Sequence, residues 1–347
     1  MHITGGDNKA DSHLMKDFII NCIGILLILV IVPGGMLYFA VHMPGESFTG
    51  MSPELNEEQQ LLAENLSVHV RKLAEEIGER HHELPVALEA AANYIENNFI
   101  QTGYQPYLQV FGEKQQFRNI VAELYGNASA DEIIVVGAHY DTVWMTPGAD
   151  DNASGVAGML EIARLLKDRN FNRTIRFVAF ANEEDPFYFT GNMGSLYHAK
   201  RARDHGENIV AMFSLEMLGY YSDVKGSQLY PRPLIWFYPD KAKFIAFIGN
   251  LPSHSLLYDT IGLFRKHTHF PSEGLAAPEA IIPDVRRSDH SAFWSVGYPA
   301  LMVTDTAGFR NPGYHNVGDV PRTLDYEKMA RVVDGLGKVI EALADQE

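Results

Sequence analysis

The feature that most constrains this chain is a regular alternation of short apolar runs with amphipathic segments. The short runs are rich in β-branched and aromatic residues, as strands are. They span 107–111, 120–124, 133–138, 174–180, 209–215, 234–238 and 300–304. Four of them are apolar on both alternating faces, as expected of central strands with helices on each side: those that begin at 133, 174, 209 and 300.

The amphipathic segments predict the helices of the same fold. Two of them, at 62–77 and 85–99, precede the strands and read as scaffold, and the others follow at 155–166, 196–203 and 325–343. Strands alternating with helices predict an α/β fold, a three-layer sandwich whose central mixed, mostly parallel sheet is flanked by helices.

The stretch 222–275 does not follow this alternation. It holds Pro231, Pro233, Pro252 and Pro271 around helical patterns at 244–248 and 256–264. These features predict an inserted loop and helix pair near the functional site, because ligands of open α/β sheets bind beyond the carboxyl ends of the strands.

The N-terminal region contains an apolar segment at 18–41 that has no charged residue. As a helix it would run about 36 Å, enough to span a bilayer, so we expect an N-terminal transmembrane helix that acts as an uncleaved signal anchor. A cleaved signal peptide is the second interpretation, since Pro33 could end its core, but Tyr38 suits cleavage near Ala40 poorly. A buried core helix is the third.

The charges around this segment predict its orientation. Lys9 and Lys16 precede it, whereas 42–70 holds no Lys or Arg. The positive-inside rule then places 1–17 in the cytoplasm and the rest in the periplasm or cell exterior, as a single-pass membrane protein. Residues 42–53 are predicted to be a linker, and 54–347 the globular domain.

Charge and cysteine content exclude several classes of protein. The formal net charge is −16 with no basic stripe, so nucleic acid is not an expected partner. The one cysteine, Cys22, lies in the apolar segment, which excludes disulfide staples and thiolate zinc sites. Any metal must be bound by His, Asp and Glu.

Polar clusters directly follow the predicted central strands. His139 ends one run, and Asp141 points the same way two residues later, so it can accept the second ring N–H of a metal-binding imidazole. Asp150 and Asp151 lie in a turn bounded by glycine. Capping of the next helix explains the residues from Asp151 to Ser154 well, but two adjacent acids exceed what one cap requires, and one carboxylate there can bridge two metals.

The remaining acids and imidazoles extend this pattern. Adjacent residues point in different directions, so one of Glu183 and Glu184 can bind a metal while the other takes a proton from water. Glu216 ends an apolar run, where a lone charge is paired or metal-bound, and His315 lies in a loop after the last strand. Two imidazoles and three carboxylates suit two zinc ions that share one carboxylate.

Six segments in this order resemble one family across 85–345: GAHYDTV, PGADDNASGVAGMLEIARLL, RFVAFANEEDPFYFTGNMGS, FSLEMLGYY, RRSDHSAFWSVGYPALMVTDT and NPGYHNVGDVPRTLDYEKM. The family is that of the co-catalytic zinc peptidases, which includes bacterial leucyl and broad-specificity aminopeptidases, glutamate carboxypeptidase II and, more distantly, glutaminyl cyclases.

The resemblance implies the ligand set of each zinc. One ion would be held by His139, Asp150 and Glu216. The other would share Asp150 and add Glu184 and His315. Glu216 departs from the family pattern, because many members have Asp at this position.

The resemblance also implies roles for residues that bind no metal. Glu183 would be the general base and acid, taking a proton from the water between the zinc ions and passing it to the leaving amine. Asp141 would orient His139. Asp289 and His290 match a recurrent pair near the site, without an assigned role.

The expected function is that of a zinc-dependent exopeptidase acting on peptides with a free N-terminus. Aminopeptidase is favoured over carboxypeptidase because no Arg cluster for a substrate carboxylate is evident apart from Arg286 and Arg287. Ser154 and Ser195 lack the setting of a nucleophilic serine. The alternatives are a glutaminyl cyclase-like acyltransferase and a non-catalytic, receptor-like binding protein.

Overall fold

The structure is a computed structural model that describes residues 16, 18–21, 29, 31–232 and 234–346. The chain divides into a first unit, Met1–His42, and a second unit, Met43–Glu347, which holds the elements described below. Residues 31–41 of the first unit are helical. Within the described residues, no helix combines the length and the apolar character that a membrane crossing requires. The predicted anchor at 18–41 falls partly outside those residues, so the anchor and its orientation stay predictions.

Eight strands of the second unit form one mixed sheet, in the order β1-β2-β4-β3-β5-β8-β6-β7. Four neighbouring pairs are parallel and three are antiparallel, so the predicted mixed, mostly parallel sheet is confirmed. The strands are β1 Tyr107–Phe111, β2 Phe117–Leu124, β3 Ser129–His139, β4 Arg173–Phe180, β5 Asn208–Glu216, β6 Ile245–Gly249, β7 Ser272–Ala276 and β8 Ala300–Thr304.

Helices cover both faces of this sheet and complete the three layers. One hydrophobic cluster joins the sheet to α1, α2, α3, α5 and α7, and a second joins its other face to α4 and α6. The helices are α1 Glu57–Arg71, α2 Pro85–Gln101, α3 Gly155–Leu166, α4 Gly194–Asp204, α5 His254–His267, α6 His290–Ser295 and α7 Tyr326–Ala344. The predicted α/β sandwich is therefore confirmed.

The longest of these helices illustrates how local sequence determines an element. The Asp325 side chain accepts the backbone N–H of Lys328 and caps the start of α7. Apolar residues recur with helical spacing from Met329 to Leu343 and are buried against α1, α3 and α5. Capping and periodicity agree, so the boundaries of this helix were predictable.

The stretch 222–275 differs from the prediction. Besides α5 it contributes β6 and β7 to the sheet, so the predicted helix at 244–248 is wrong. The predicted strand at 234–238 is also wrong, because Leu234–Trp236 forms a 3₁₀ turn. A five-residue apolar run fits either a helix or a strand, and here pairing of β6 with both β7 and β8 decides in favour of the strand.

The segment that follows the first unit lies against α5 and β7. Met43 is buried, and the Arg265 guanidinium donates to the carbonyls of Pro44 and Gly45, each at 2.9 Å. The Ser47 hydroxyl accepts the backbone N–H of Ser272 at 3.0 Å. Residues 43–53, within the predicted linker, therefore support the far edge of the sheet.

Candidate metal centre

Strand ends and the loops that follow them bring the predicted site residues to one edge of the sheet. His139 ends β3 and Glu216 ends β5. Glu183 and Glu184 follow the end of β4, and His315 lies in the loop between β8 and α7. The carboxyl ends of the parallel strands β3, β4 and β5 share this edge, which is where α/β sheets bind ligands.

Two groups of possible metal ligands share one carboxylate, that of Asp151. The first group is His139, Asp151 and Glu216, and the second is Asp151, Glu184 and His315, with the ligand atoms of each group within 4.8 Å of one another. Asp151 Oδ1 lies 3.3 Å from His139 Nε2, and its Oδ2 lies 3.1 Å from His315 Nε2. Each oxygen thus faces a different imidazole, as a carboxylate between two metal ions would.

The terminal carboxylates complete the two groups. Glu216 Oε2 lies 3.3 Å from His139 Nε2, and Glu184 Oε1 lies 3.4 Å from His315 Nε2. Asp151 Oδ1 is buried without a hydrogen-bond partner among the described residues. Imidazoles and carboxylates are the donors that zinc accepts when no thiolate is present, so this set fits zinc.

Asp150, which the resemblance assigned as the shared ligand, belongs to neither group. Its Oδ1 accepts the backbone N–H of Gly219 and its Oδ2 accepts the Asn311 amide, both at 2.8 Å. The backbone N–H groups of Asp150 and Asp151 are both held by the Asp319 carboxylate, at 2.8 and 3.0 Å. This turn directs the two adjacent side chains in different directions, and it directs Asp151 to the histidines.

The carboxyl groups of the site are close together and buried. Burial raises the pKa of Glu184 to about 8, and the charge of Asp151 adds to this. Burial also raises the pKa of Glu183 well above its usual range. Burial alone would lower the pKa of His139, but the charge of Glu216 and the nearby carboxylates of Asp141 and Asp151 raise it well above its usual value. Divalent cations between these groups would relieve the repulsion among the carboxylates.

Asp141 contacts both an imidazole and the glutamate pair. Its Oδ1 lies 3.4 Å from His139 Nδ1, which is the neighbour that the residue spacing predicts. The same carboxylate accepts the backbone N–H of Glu183 at 3.0 Å and that of Glu184 at 3.2 Å. The Asp141 carboxylate therefore contacts the His139 ring and the backbone of both glutamates. Residue spacing predicted the first contact but not the other two.

The two residues of the Asp-His pair at 289–290 have different surroundings: Asp289 faces the site and His290 lies in the core. The Asp289 carboxylate is fully buried, neither oxygen has a hydrogen-bond partner among the described residues, and burial raises its pKa to about 7. Its charge acts on Glu183 and His139. His290 instead bonds through Nε2 to the Val285 carbonyl at 2.7 Å, and burial lowers its pKa to about 4. His290 is therefore a neutral core residue.

Ser288, immediately before this pair, contacts a predicted ligand directly. Its hydroxyl donates to Glu216 Oε2 at 2.7 Å and lies 2.8 Å from the Ser214 hydroxyl. This bond fixes the orientation of the carboxylate oxygen that also faces His139. A serine in a loop carries no distinguishing pattern, so the sequence did not indicate this contact.

Arg80 is a second residue that the sequence analysis missed. Its fully buried guanidinium donates to five backbone carbonyls: those of Leu73, Gly78, Tyr140, Pro147 and Gly148. Three of these carbonyls belong to the loop between His139 and the Asp150–Asp151 turn. Arg80 therefore ties down the loop that carries the shared carboxylate, and no local motif signals an arginine in this role.

A cavity of about 500 Å³ adjoins the metal centre on the side of Glu216 and Tyr314. Its walls come from β6, β7 and β8, from the segment 228–238 and from the loop at 282–287. The stretch predicted to be an insertion near the site thus contributes to this wall, although through strands as well as loops.

Comparison with known proteins agrees with this geometry. The sequence profile described as Peptidase family M28 matches residues 119–340. The uncharacterized protein YfbL of Escherichia coli K12 is 38% identical over 283 residues, which cover 79% of this chain and 86% of the relative.

Two solved structures share the fold. A zinc aminopeptidase from Bacillus subtilis superposes with a TM-score of 0.66 at 16% identity, covering 82% of this chain and 96% of the other. A glutaminyl cyclase from Bacteroides thetaiotaomicron superposes with a TM-score of 0.61 at 17% identity, covering 84% of this chain and 99% of the other.

The chain therefore belongs to peptidase family M28. It is a zinc metallopeptidase, as the sequence analysis expected.

Proposed function

We propose that this protein is an aminopeptidase that holds two zinc ions, one with His139, Asp151 and Glu216, the other with Asp151, Glu184 and His315. The observation that carries the proposal is the Asp151 carboxylate, whose two oxygens face two different imidazoles at 3.3 and 3.1 Å. A single-metal site needs no such shared carboxylate. The similarity to a solved zinc aminopeptidase supports the same metal.

The bound zinc ions would polarise the scissile carbonyl and acidify a water molecule. Glu183 forms a third possible ligand group with His139 and Glu184 but lies in neither group that contains Asp151, so we assign its carboxylate to proton transfer. It takes a proton from the attacking water and delivers it to the leaving amine. Burial raises its pKa well above the usual range of a glutamate, which strengthens the carboxylate as a proton acceptor.

Asp141 keeps Glu183 in place during this transfer. Because its carboxylate accepts the backbone N–H of Glu183 and of Glu184, the base and the neighbouring ligand cannot shift independently. Arg80 restrains the opposite side of the site through the Pro147 and Gly148 carbonyls. The chain thus holds its proton-transfer group in a pre-formed position, which is a large part of what an enzyme contributes.

Charge around the site favours a substrate amine over a substrate carboxylate. Glu184 and Glu216 are zinc ligands in this proposal, which leaves the neighbouring Glu183 carboxylate to meet a free ammonium group. Of the two arginines that could meet a substrate carboxylate, Arg286 stacks on the Phe189 ring at 4.6 Å and Arg287 pairs with Asp284 at 3.0 Å. Both arginines are engaged, so the N-terminal end of a peptide is the better match.

The test uses the full chain with zinc counted per chain. Aminoacyl-anilides and the same compounds with a blocked amine are compared, alongside Glu183→Gln. Cleavage of the free-amine substrates alone, lost in Glu183→Gln while zinc is retained, is the expected result. Absence of hydrolysis by a zinc-loaded chain would overturn the proposal, and cyclisation of an N-terminal glutamine peptide in the same panel would then identify the acyltransferase alternative.

A further inference from the structure

The cavity beside the metal centre has an ordered floor. Cross-strand neighbours form one row along it: Glu216 pairs with Thr304, Thr304 with Ala246, and Ala246 with Glu273. Neighbours in register point their side chains to the same face of a sheet. Both ends of this row line the cavity, so a carboxylate lies at each end, one at the metal centre and one far from it.

The middle of the floor is formed mostly by apolar residues. Ala246 contributes only a methyl group to the floor. A second row of cross-strand neighbours, Met302, Ile248 and Leu275, lies beside the first. Strands are about 4.8 Å apart, so the α-carbons of Glu216 and Glu273 are separated by about 14 Å. The cavity, lined mostly by apolar residues, thus extends from Glu216 at the metal centre to Glu273.

Glu273 is the acid at the far end of this row. It forms no ion pair within the described part of the chain, and burial raises its pKa, with the charge of Arg265 and a bond from Ser47 only partly opposing this. Arg265 is engaged elsewhere, donating to the Ser272 hydroxyl and carbonyl and to the carbonyls of the 43–53 segment. Successive side chains of a strand point to opposite faces, so the Ser272 hydroxyl that Arg265 binds lies on the face of β7 opposite to the Glu273 side chain.

The other polar groups near Glu273 are also occupied. The Tyr230 hydroxyl donates to the Pro239 carbonyl at 2.6 Å, and the Tyr238 hydroxyl donates to the Gly274 carbonyl at 2.6 Å. Arg287, the cation that lines the cavity, is paired with Asp284 at 3.0 Å. A half-buried acid at the far end of a mostly apolar cavity is therefore left for a cation that the ligand brings.

We propose that this cavity receives the side chain of the substrate's N-terminal residue and selects lysine and arginine, with Glu273 as the counter-ion of the side-chain cation. The inference rests on the proposed aminopeptidase function and specifies its substrate class. An extended lysine side chain reaches about 6 Å from its α-carbon, as five bonds of about 1.5 Å allow. The rest of the row leaves room for the substrate backbone at one end and for the Glu273 side chain at the other.

The test compares anilides of lysine, arginine and norleucine, the last having an unbranched apolar chain without the cation. The wild-type chain should prefer lysine to norleucine in kcat/KM by at least about 10-fold, as a charge-assisted hydrogen bond to a buried acid provides. Glu273→Gln should reduce that ratio by about the same factor, through loss on lysine and not on norleucine. Asp259→Asn, which removes the same charge from an exposed acid of α5 outside the cavity, is the matched control and should leave the ratio within about two-fold.

Two results separate the failure of this inference from the failure of the proposed function. If anilides are cleaved but the lysine-to-norleucine ratio is near one, or is unchanged in Glu273→Gln, the assignment of Glu273 is overturned and the aminopeptidase stands. If no anilide is cleaved, the side-chain pocket is tested by calorimetric binding of lysine hydroxamate and norleucine hydroxamate to the zinc-loaded chain. Tighter binding of the lysine compound, lost in Glu273→Gln, supports the pocket, and equal binding overturns it.

Discussion

Replacing each of the adjacent acids Asp150 and Asp151 by asparagine should have opposite consequences. In Asp151→Asn the two metal groups lose the one ligand that they share, leaving each ion with one imidazole and one glutamate. The number of anionic ligands also falls from three carboxylates to two. We expect zinc to fall from about two to less than about one per chain at micromolar concentration, and kcat to fall by at least about 10³-fold.

Asp150→Asn should instead be a modest change of stability. Burial and the nearby Asp305 raise the pKa of Asp150 well above its usual range, and Asp150 belongs to neither metal group, so a neutral amide in its place removes no metal ligand. Asparagine can still accept the Gly219 N–H, but its amide would face the Asn311 amide, donor against donor. The loss of that bond should lower the free energy of unfolding by about 1–3 kcal/mol. Zinc should stay at about two per chain, and kcat within about three-fold.

Zinc per chain after dialysis, kcat on the best anilide, and urea unfolding are measured for both variants. Unfolding is followed after zinc is removed by a chelator, because bound metal would stabilise the folded state by mass action. The wild-type chain is the reference in each case. If Asp150→Asn lost zinc while Asp151→Asn retained two ions, the assignment of the shared carboxylate to Asp151 would be refuted.

Two further predictions concern residues that bind no metal. Lysine at position 80 has three donors for five carbonyls, so Arg80→Lys should lower the free energy of unfolding by about 2–5 kcal/mol in urea and reduce kcat; unchanged stability would contradict the bonding role of Arg80. Burial lowers the pKa of His290 from about 6.5 to about 4, so its contribution to stability is complete above pH 6.5 and is lost as the pH falls towards 4. That loss amounts to about 3 kcal/mol. His290→Gln, which can still donate to the Val285 carbonyl, should show a shallower decline of unfolding free energy across this range, and identical slopes would contradict the argument.

The predictability of the fold followed the strength of local signals. The runs at 107–111 and 300–304 and the helix at 155–166 coincide with observed elements, because length, composition and flanking residues all agree there. In 222–275 the local signals were short and interrupted by proline. The run at 244–248 became a strand only because β7 and β8 offer it partners, and pairing of this kind joins residues far apart in the chain.

The site was predictable as a set but not in its exact membership. Acids and imidazoles after buried strands must meet at the carboxyl edge of a parallel sheet, and four of the five expected ligands lie in the two groups. Between Asp150 and Asp151, however, the spacing is uninformative. The choice depends on Asp319, which holds both backbone N–H groups of the turn from a loop far along the chain.

The sequence by itself determined the α/β class, the chemical nature of the metal ligands and the presence of a free glutamate beside them, because these follow from periodicity and from the chemistry of side chains at strand ends. Only the tertiary structure decided which aspartate is shared, which arginine secures its loop, and that Glu273 lies in one row with Glu216. These three outcomes depend on hydrogen bonds and strand pairing between segments distant in sequence, and no local pattern encodes such contacts.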